Sequence, residues 1–457
     1  MCGVFGAFTQ NGGPVLEDVY LGLYALQHRG QESAGVAWVD DNNAIRTQKG
    51  NGLVHLALDQ EALAKIDTRC AIGHVRYSTA GGSDPRNIQP LTASNSRGSV
   101  AVAHNGNITN AEALKQYLEN RGAIFHSLTD TEVLLHLMAH QPHKPMIDAF
   151  VDSLRRLKGA YSLVMILDGK LVAARDPWGF RPLVIGQRDR IIYVSSETCA
   201  LDLVGAKALR EVAPGEVVVI DKDEIKSIRI PVQTKCHYQC SFEYVYFARP
   251  DSILAGRSVY AVRKALGHCL AKRAPCLSAN MVTGMPDSGT IASMGFAEGS
   301  TLPYEKAIVR NRYVGRTFIN PTQRVRELGV RIKLNPIHDL IKDRKIVVID
   351  DSIVRGTTSQ RIIAMIRAGG AKEVHVRISS PPVCFPCYYG IDTPSRVELA
   401  AARMNIKELE KIIGADSLEY ITVDDLVQAI GLPRNELCTA CFTGEYMEGE
   451  TQDELEL

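Results

Sequence analysis

The chain has almost no excess charge of either sign. Its 52 Lys and Arg nearly balance 51 Asp and Glu, leaving a formal net charge of +1. A protein that grips nucleic acid or an anionic bilayer through a diffuse basic surface needs such an excess. Both are therefore excluded as partners, and any anion site has to be local. No apolar run approaches the ~20 residues that span a bilayer. The start of the chain lacks a basic stretch followed by a long apolar one, so it does not read as a secretory signal, and the expected location is the cytoplasm. Eleven cysteines, an odd number without a secretory signal, do not suit a disulfide framework; they point to reduced thiols, a metal site or catalysis. There is no internal repeat. What remains is an ordinary globular composition, 45% hydrophobic and 23% charged over 457 residues, enough for two or three domains with their own cores.

What is present begins at the second residue. Met1-Cys2-Gly3-Val4-Phe5-Gly6 places a cysteine where removal of Met1 would leave it N-terminal. Cys2 would then carry a nucleophilic thiol and a free α-amino group, which titrates near pH ~7.7–8.0 and serves as a local base. Nucleophile and base would come from one residue.

The first half reads as strands and turns with a few helices. Val100–His104 is a short apolar run that Asn105-Gly106 is expected to end as a turn. Tyr161–Leu167 and Glu216–Ile220 read as strands, and Thr129-Asp130-Thr131-Glu132 reads as a helix start. The charged, aperiodic stretch Lys222–Lys235 places a boundary between domains at 1–230 and 231–457. Beyond it, Met281–Thr283, Ala307–Val309, Ile346–Ile349 and Val374–Ile378 are short apolar strands. They alternate with helical segments such as Ile253–Arg273 and Thr358–Ala368, which predicts a mainly parallel sheet. The acidic tail from Glu445 to Leu457 is expected to be mobile.

The sharpest internal motif is Ile346-Val-Val-Ile-Asp350-Asp351-Ser352-Ile-Val-Arg355-Gly356-Thr357-Thr358. The apolar run suits a strand buried on both faces. Ligands of open α/β sheets bind beyond the carboxyl ends of the strands, where Asp350 and Asp351 would stand. Carboxylates there can hold ribose hydroxyls or a hard cation such as Mg²⁺. Gly356-Thr357-Thr358 opens a helix and offers N–H groups and hydroxyls to an anion. No Gly-Lys-Ser/Thr follows, so this is not a Walker loop. The stretch resembles the ribose-phosphate loop of type I phosphoribosyltransferases. The resemblance implies that the acidic pair engages the ribose of phosphoribosyl pyrophosphate and the Gly-Thr-Thr turn its 5′-phosphate. Thr283-Gly284-Met-Pro286-Asp287-Ser288-Gly289 looks like that family's pyrophosphate loop, with Ser288 as a metal or phosphate contact. Arg310-Asn-Arg312-Tyr-Val-Gly315-Arg316 looks like a flap over pyrophosphate, with Arg316 a substrate contact.

In the first half, Arg29-Gly30, His74-Val75-Arg76-Tyr77-Ser78-Thr79, Asn105-Gly106 and Thr129–Glu132 resemble the pattern of N-terminal-nucleophile glutamine amidotransferases from Cys2 to about residue 230. The chemistry of glutamine fits these residue types. Arg76 can pair with the α-carboxylate and Asp130 with the α-ammonium, while Arg29 and Thr79 complete the expected glutamine contacts. The Asn105 side chain and the Gly106 N–H suit the oxyanion formed when Cys2 attacks the amide, each such donor being worth roughly 3–4 kcal/mol. His136 and His140 have i, i+4 spacing but no evident third ligand, and are read as a helix face.

Together the halves resemble the amidophosphoribosyltransferase family over nearly the whole chain. The resemblance implies an α+β N-terminal-nucleophile hydrolase domain, with stacked antiparallel sheets between helices, followed by an α/β phosphoribosyltransferase domain. It implies glutamine and phosphoribosyl pyrophosphate as substrates, one Mg²⁺ per subunit bound through Ser288, Asp350 and Asp351, a homotetramer, and purine nucleotides as feedback inhibitors. Ile346–Ser359 argues against glutamine-dependent aminosugar or asparagine synthesis. A phosphoribosyltransferase-fold regulator that senses nucleotides is the alternative, against which Cys2 and the near-zero charge count.

Cys70, Cys199, Cys269 and Cys276 stand singly and read as small core residues. Cys438-Thr-Ala-Cys441 alone fits zinc, a redox pair or an iron–sulfur site. One branch of the family carries a 4Fe–4S cluster, and its ligands match Cys240, Cys387, Cys438 and Cys441, implying one cluster per subunit. Cys236 and Cys384 stand close enough in sequence to compete with Cys240 and Cys387.

Overall fold

Alternation along the first strand sets the architecture of the N-terminal half. Within Gly3–Thr9, Phe5 and Ala7 enter one core while Val4 and Phe8 enter another, as the period of two requires for a strand buried on both faces. The computed structural model describes residues 1–77, 84–222, 224–232, 234, 236–311, 334–393 and 395–447. In it this strand lies in a seven-stranded antiparallel sheet of order Lys207–Glu211, Val184–Arg188, Ile191–Ser195, Gly3–Thr9, Cys70–Arg76, Ser33–Val39, Ile45–Asn51. A second antiparallel sheet has six strands, in the order Ile225–Arg229, Glu216–Ile220, Lys170–Arg175, Gly159–Leu167, Gly98–Ile108, Leu91–Asn95.

Val4, Phe8, Ile72, Val164, Ile166 and Leu171 fill the space between the two sheets. Helices cover their outer faces. Val15–Ala25 and Thr198–Leu203 pack on the seven-stranded sheet, and Ala111–Glu119, Glu132–Ala139 and Met146–Leu154 on the other. The expected stacked sheets between helices are therefore present.

Asn105-Gly106 does not end its strand. Gly98–Ile108 runs straight through the pair, and Asn105 and Gly106 register against Ser162 and Tyr161. The long neighbour Gly159–Leu167 supplies ladder partners as far as Ile108, and this outweighs the local turn preference.

In the second half four strands form a parallel sheet of order Met281–Gly284, Lys345–Asp350, Glu373–Ile378, Ser417–Tyr420. The helices Val259–Arg273 and Thr290–Ser300 join Val347 and Ile349 in one core, while Thr357–Ala368 and Ile406–Ile413 join Ile346 and Val348 in the other. Burial on both faces of Ile346–Ile349 follows the sequence reading. Two expectations need correction. Ala307–Val309 contributes not to this sheet but to a separate antiparallel pair, Ile308–Arg310 with Leu334–Pro336. The helix expected over Ile253–Arg273 starts only at Val259, after a small hairpin of Ile253–Leu254 and Arg257–Ser258, with Ser258 accepting from the Ala261 N–H as its cap. Among the described residues, no helix is long and apolar enough to cross a membrane.

Candidate active sites at Cys2 and at the acidic strand end

Cys2 sits at the start of the Gly3–Thr9 strand, held by three contacts. Its N–H donates to Asn105 Oδ1 at 3.3 Å, its carbonyl accepts from Arg29 Nε at 2.9 Å, and its Sγ lies 3.7 Å from the Tyr77 carbonyl oxygen. Asn105 is fully buried, and its Nδ2 has no acceptor among the described residues. A buried amide donor without a partner costs roughly 1–3 kcal/mol, a cost that an anion formed on attack by Cys2 would offset. Gly106 is glycine for steric reasons: a Cβ there would stand 2.0 Å from the Ala160 carbonyl oxygen. Gly390 of the second half packs against it so closely that a Cβ at 390 would lie 2.8 Å from the Gly106 carbonyl carbon. Asn107 Nδ2 also donates to the Tyr388 carbonyl at 2.8 Å.

Arg76 is buried at the end of its strand, one residue beyond the Gly3–Val75 pair and so beside Cys2 across the ladder. Asp130 accepts from the Ile108 N–H at 2.8 Å and from the Thr131 hydroxyl at 3.2 Å, and lies 3.6 Å from His104 Nδ1. Thr79, also expected here, lies outside the described residues, as do Arg316 and the rest of the expected flap beyond Asn311. Arg310 is described; it pairs with Asp287 of the pyrophosphate-type loop at 2.7 Å.

His104 escaped sequence reading because nothing distinguishes it from a strand histidine. Burial works against its charge, but the Asp130 carboxylate outweighs that and raises it above the ordinary histidine value. Burial likewise works against charge on Asp130, and His104 lowers it below the usual carboxylate range. The signs define a window. The histidine contribution is complete below pH ~6.5 and is lost as pH rises through the raised folded value; the aspartate contribution is complete above pH ~3.9 and is lost as pH falls through the lowered one. Asp130→Asn should move the His104 titration downward, read by NMR of its ring protons. An unmoved titration would remove the pair.

Arg29 has a different task from the one its sequence context suggests. It is wholly buried, and its guanidinium donates to Glu197 and, at 2.8 and 3.1 Å, to the two carboxylate oxygens of Glu243, besides holding the Cys2 carbonyl. With its nitrogens committed in this way, it positions Cys2 and joins the halves rather than presenting a free fork to glutamine. Glu197 also accepts from His28 Nε2 at 2.7 Å, the Arg249 N–H at 2.9 Å and the Ser252 hydroxyl at 2.7 Å. Burial opposes its ionisation, yet His28 and Arg29 hold its carboxyl far below the usual range. Arg181 also approaches Glu243, at 3.4 Å from the oxygen that accepts from Arg29 Nη2. The partners of Arg29 stand 168 and 214 positions away in sequence, so no local pattern could have shown them.

A cleft of 620 Å³ opens between the halves. His28 and Tyr77 border it on the first, and Ser288, Asp350, Asp351 and Gly356–Ser359 on the second. Asp350 ends its strand as expected, its carboxylate accepts from the Asp351 N–H at 2.9 Å, and Ser288 lines the same cleft. Burial and the neighbouring Asp351 carboxylate push Asp350 well above its ordinary value. Gly356 adopts φ +80° as the cap of the Thr357–Ala368 helix, a left-handed turn that glycine enters without strain. The turn delivers the first N–H groups of that helix to the cleft wall.

Cys240, Cys387, Cys438 and Cys441 line one small cavity together with Phe180, Arg181 and Tyr389. Parallel pairing of Gln239–Cys240 with Leu437–Cys438 sets Cys240 directly opposite Cys438. The Cys384 and Phe385 N–H groups donate to the Cys441 carbonyl at 3.0 and 3.1 Å, bringing the Cys387 loop alongside. Cys384 instead turns its thiol to the Ala401 carbonyl at 3.6 Å, and Cys236 is not among the lining residues. Burial pushes the Cys240 thiol up to about 11 and raises Cys438 and Cys441 further. Of the single cysteines, Cys70, Cys199 and Cys276 are buried core residues as read, and Cys269 is partly buried against the same core as Cys276.

Residues 74–203 match the model of the glutamine amidotransferase domain family. The chain is 46% identical over 457 residues to the amidophosphoribosyltransferase of Bacillus subtilis (strain 168), covering 99% of this chain and 95% of that one. The chain belongs to the amidophosphoribosyltransferase family. Amidophosphoribosyltransferase of Methanocaldococcus jannaschii is 46% identical, with 98% of this chain and 97% of that one covered. The solved glutamine phosphoribosylpyrophosphate amidotransferase from Bacillus subtilis, complexed with ADP and GMP, superposes with a TM-score of 0.92 at 45% identity, covering 99% of this chain and 98% of that one. Family membership joins the two sites in one enzyme class: one half carries the amidotransferase pattern, the other the phosphoribosyl motif.

Proposed function

We propose that the chain is a glutamine-dependent amidophosphoribosyltransferase that forms 5-phosphoribosylamine, glutamate and pyrophosphate, the first committed step of purine nucleotide synthesis. The observation that carries this reading is the cleft itself: the Asp350-Asp351 strand end and the Gly356–Thr358 turn face residues 28 and 77 beside the Cys2 site.

Met1 is buried between Cys2 and the guanidinium groups of Arg29 and Arg181. Its removal would leave space beside Cys2 and convert the Cys2 N–H into an amine. That amine takes the thiol proton, Sγ attacks the glutamine side-chain amide, and the oxyanion falls to the Asn105 Nδ2 and the Gly106 N–H. Collapse breaks the C–N bond as the Cys2 α-ammonium returns its proton to the leaving nitrogen, which departs as ammonia, and water hydrolyses the thioester to glutamate. Arg76 and Asp130 fit the α-carboxylate and α-ammonium of glutamine. Ammonia crosses to the cleft shielded from bulk water, which would otherwise protonate it, and displaces pyrophosphate from C1 of the sugar.

Asp350 and Asp351 hold the ribose hydroxyls, and the Gly356-Thr357-Thr358 turn holds the 5′-phosphate. The paired carboxylates with the Ser288 hydroxyl fit Mg²⁺, because two adjacent carboxylates, Asp351 buried and Asp350 half-buried, repel until a hard cation neutralises them. That cation supplies charge neutralisation of the departing pyrophosphate. Inhibition by purine nucleotides is supported by the ADP and GMP in the Bacillus subtilis structure; homotetrameric assembly rests on the family resemblance. Release of glutamate and pyrophosphate from glutamine and phosphoribosyl pyrophosphate with Mg²⁺ tests the reading, and absence of pyrophosphate release would overturn it.

The sulfur quartet fits a 4Fe–4S cluster: four thiols on one cavity wall, with Arg181 beside them to offset thiolate charge. Its role would be structural, tying the interdomain segment to the C-terminal strand. Anaerobically purified protein should be brown, with about four iron atoms per chain. Cys438→Ser should eliminate the iron, whereas Cys236→Ser and Cys384→Ser should leave it. Stoichiometric zinc with no iron would refute the cluster.

A further inference from the structure

The strand Gly98–Ile108 has a strand partner on only one side at its far end. Its neighbour Leu91–Asn95 pairs no further along it than Val102, so the edge beyond is left to side chains. His104 donates its N–H along this edge to Gln89 Oε1 at 2.7 Å, and Ile108 donates to the Asp130 carboxylate at 2.8 Å. Alternate residues of a strand turn their N–H groups the same way, so the Gly106 N–H points along this edge between those two. The register on the other side agrees. Gly106 stands opposite Tyr161, whose own N–H and carbonyl bond to Asp176 at 3.2 and 2.9 Å.

A loop of the second half stands against that glycine, and it is firmly held. Asn107 Nδ2, from the first half, donates to the Tyr388 carbonyl at 2.8 Å. Arg181, wholly buried, donates through Nε to the Tyr389 carbonyl at 2.9 Å. The Tyr389 ring stacks on Phe180 with centroids 4.1 Å apart, and its hydroxyl accepts from the Met447 N–H at 2.8 Å. Both carbonyls, the ring and the hydroxyl are thus fixed before the chain reaches Gly390, which adopts φ +100°. Gly390 meets Gly106 backbone to backbone. A Cβ at 390 would lie 2.8 Å from the Gly106 carbonyl carbon and 2.9 Å from both its Cα and its carbonyl oxygen. The direction of a Cβ on Gly106 itself is closed by the Ala160 carbonyl oxygen, so two separate backbones confine this residue.

Such confinement matters for an oxyanion donor. A donor stabilises developing charge in proportion to how well it is aimed before the reaction begins. A misplacement of about 1 Å at a reacting centre can cost about 10²-fold in rate. A strand end with a single neighbouring strand is where a sheet is least restrained. The Tyr388–Gly390 loop supplies the restraint that a second neighbouring strand would otherwise give.

We propose that Gly390 and Asn107 are positioning residues of the amidotransferase site, a role that rests on the reading of Cys2 as nucleophile and the Gly106 N–H as oxyanion donor. Asn107 ties down the Tyr388–Gly390 loop, and Gly390 braces Gly106 so that its N–H stays aimed at the oxyanion. Both act through Gly106 rather than on glutamine. Only a residue without a Cβ can stand at 390, because a methyl group there would have to displace the backbone it supports. The first half carries the donor and the second half carries its support, so the oxyanion site is complete only when the halves are docked.

Full-length Asn107→Ala and Gly390→Ala proteins are compared with the parent in glutamine hydrolysis, in ammonia-dependent synthesis, and in inhibition by L-glutamate γ-semialdehyde. This aldehyde adds to the Cys2 thiol, and its oxygen then takes the oxyanion position. Asn107→Ala removes the tie without adding bulk, whereas Gly390→Ala drives a methyl group into the Gly106 backbone. The kcat for glutamine should fall roughly tenfold in Asn107→Ala and further in Gly390→Ala, approaching the ~10²–10³ lost when an oxyanion donor is deleted. KM should change by less than about twofold, because the donor acts on the transition state and not on bound glutamine. The inhibition constant of the aldehyde should rise by about the factor by which kcat falls. Ammonia-dependent synthesis by Asn107→Ala should stay within about twofold of the parent, a control that general damage to the fold would not pass. Parental kinetics in Asn107→Ala, a rise in KM alone, or a fall in kcat without weaker aldehyde inhibition would each overturn the proposal. Asn107→Ala decides the matter even if Gly390→Ala does not fold. A parent protein that neither hydrolyses glutamine nor is inhibited by the aldehyde would overturn the reading of Cys2, and the proposal with it.

Discussion

Cys2→Ser abolishes glutamine-dependent formation of phosphoribosylamine while leaving formation from added ammonia close to the parent rate. The substitution keeps size and backbone, so the Cys2 N–H to Asn105 bond and the Cys2 carbonyl to Arg29 bond persist. What it removes is the sulfur nucleophile: a hydroxyl is far less ionised near neutral pH than a thiol, and the α-amine is too weak a base to compensate. The loss should reach the assay floor, at least about a thousandfold, as expected when a covalent nucleophile is deleted. The second site lies across the cleft and does not touch Sγ. Parallel assays with glutamine and with ammonium salt separate the two halves, and full glutamine activity in the variant would sink the nucleophile assignment.

The converse loss is expected from Asp350→Asn combined with Asp351→Asn. Both nitrogen donors should fail, because the sugar and metal contacts are shared by the two routes. Asparagine keeps the shape of each side chain and an oxygen to accept from the Asp351 N–H and the Ser352 hydroxyl, so the fold of the strand end should survive. The negative charge that Mg²⁺ and the ribose hydroxyls require is gone. Some glutaminase activity should persist, since Cys2, Asn105 and Asp130 are untouched. Pyrophosphate release at the parent rate would show that the ribose site lies elsewhere.

Some of this was legible before any coordinates. The apolar run Ile346–Ile349 followed by Asp350-Asp351 and Gly356-Thr357-Thr358 announces a doubly buried strand, a carboxylate strand end and a helix-cap anion turn. Each depends only on neighbours within a few positions. Cys2, Asn105-Gly106 and the four cysteines were visible as residue types in order. Local rules misled where a partner strand overruled them. Asn105-Gly106 carries the signature of a turn, yet Gly159–Leu167 extends the ladder through it, and only that continuation buries Asn105 with an unpartnered Nδ2 beside Cys2.

By itself, then, the sequence determined the nucleophile candidate, the acidic strand end and the parallel sheet, because strand burial, caps and motif spacing are written over short distances. The tertiary structure decided which charges meet. It committed Arg29 to Glu197 and Glu243, brought Gly390 onto Gly106, paired His104 with Asp130, and turned Cys384 away from the cavity lined by Cys240, Cys387, Cys438 and Cys441. Most of these contacts join residues far apart in the chain. Their energies come from excluding water around groups that only the packing of separate elements brings together, and no local pattern encodes that.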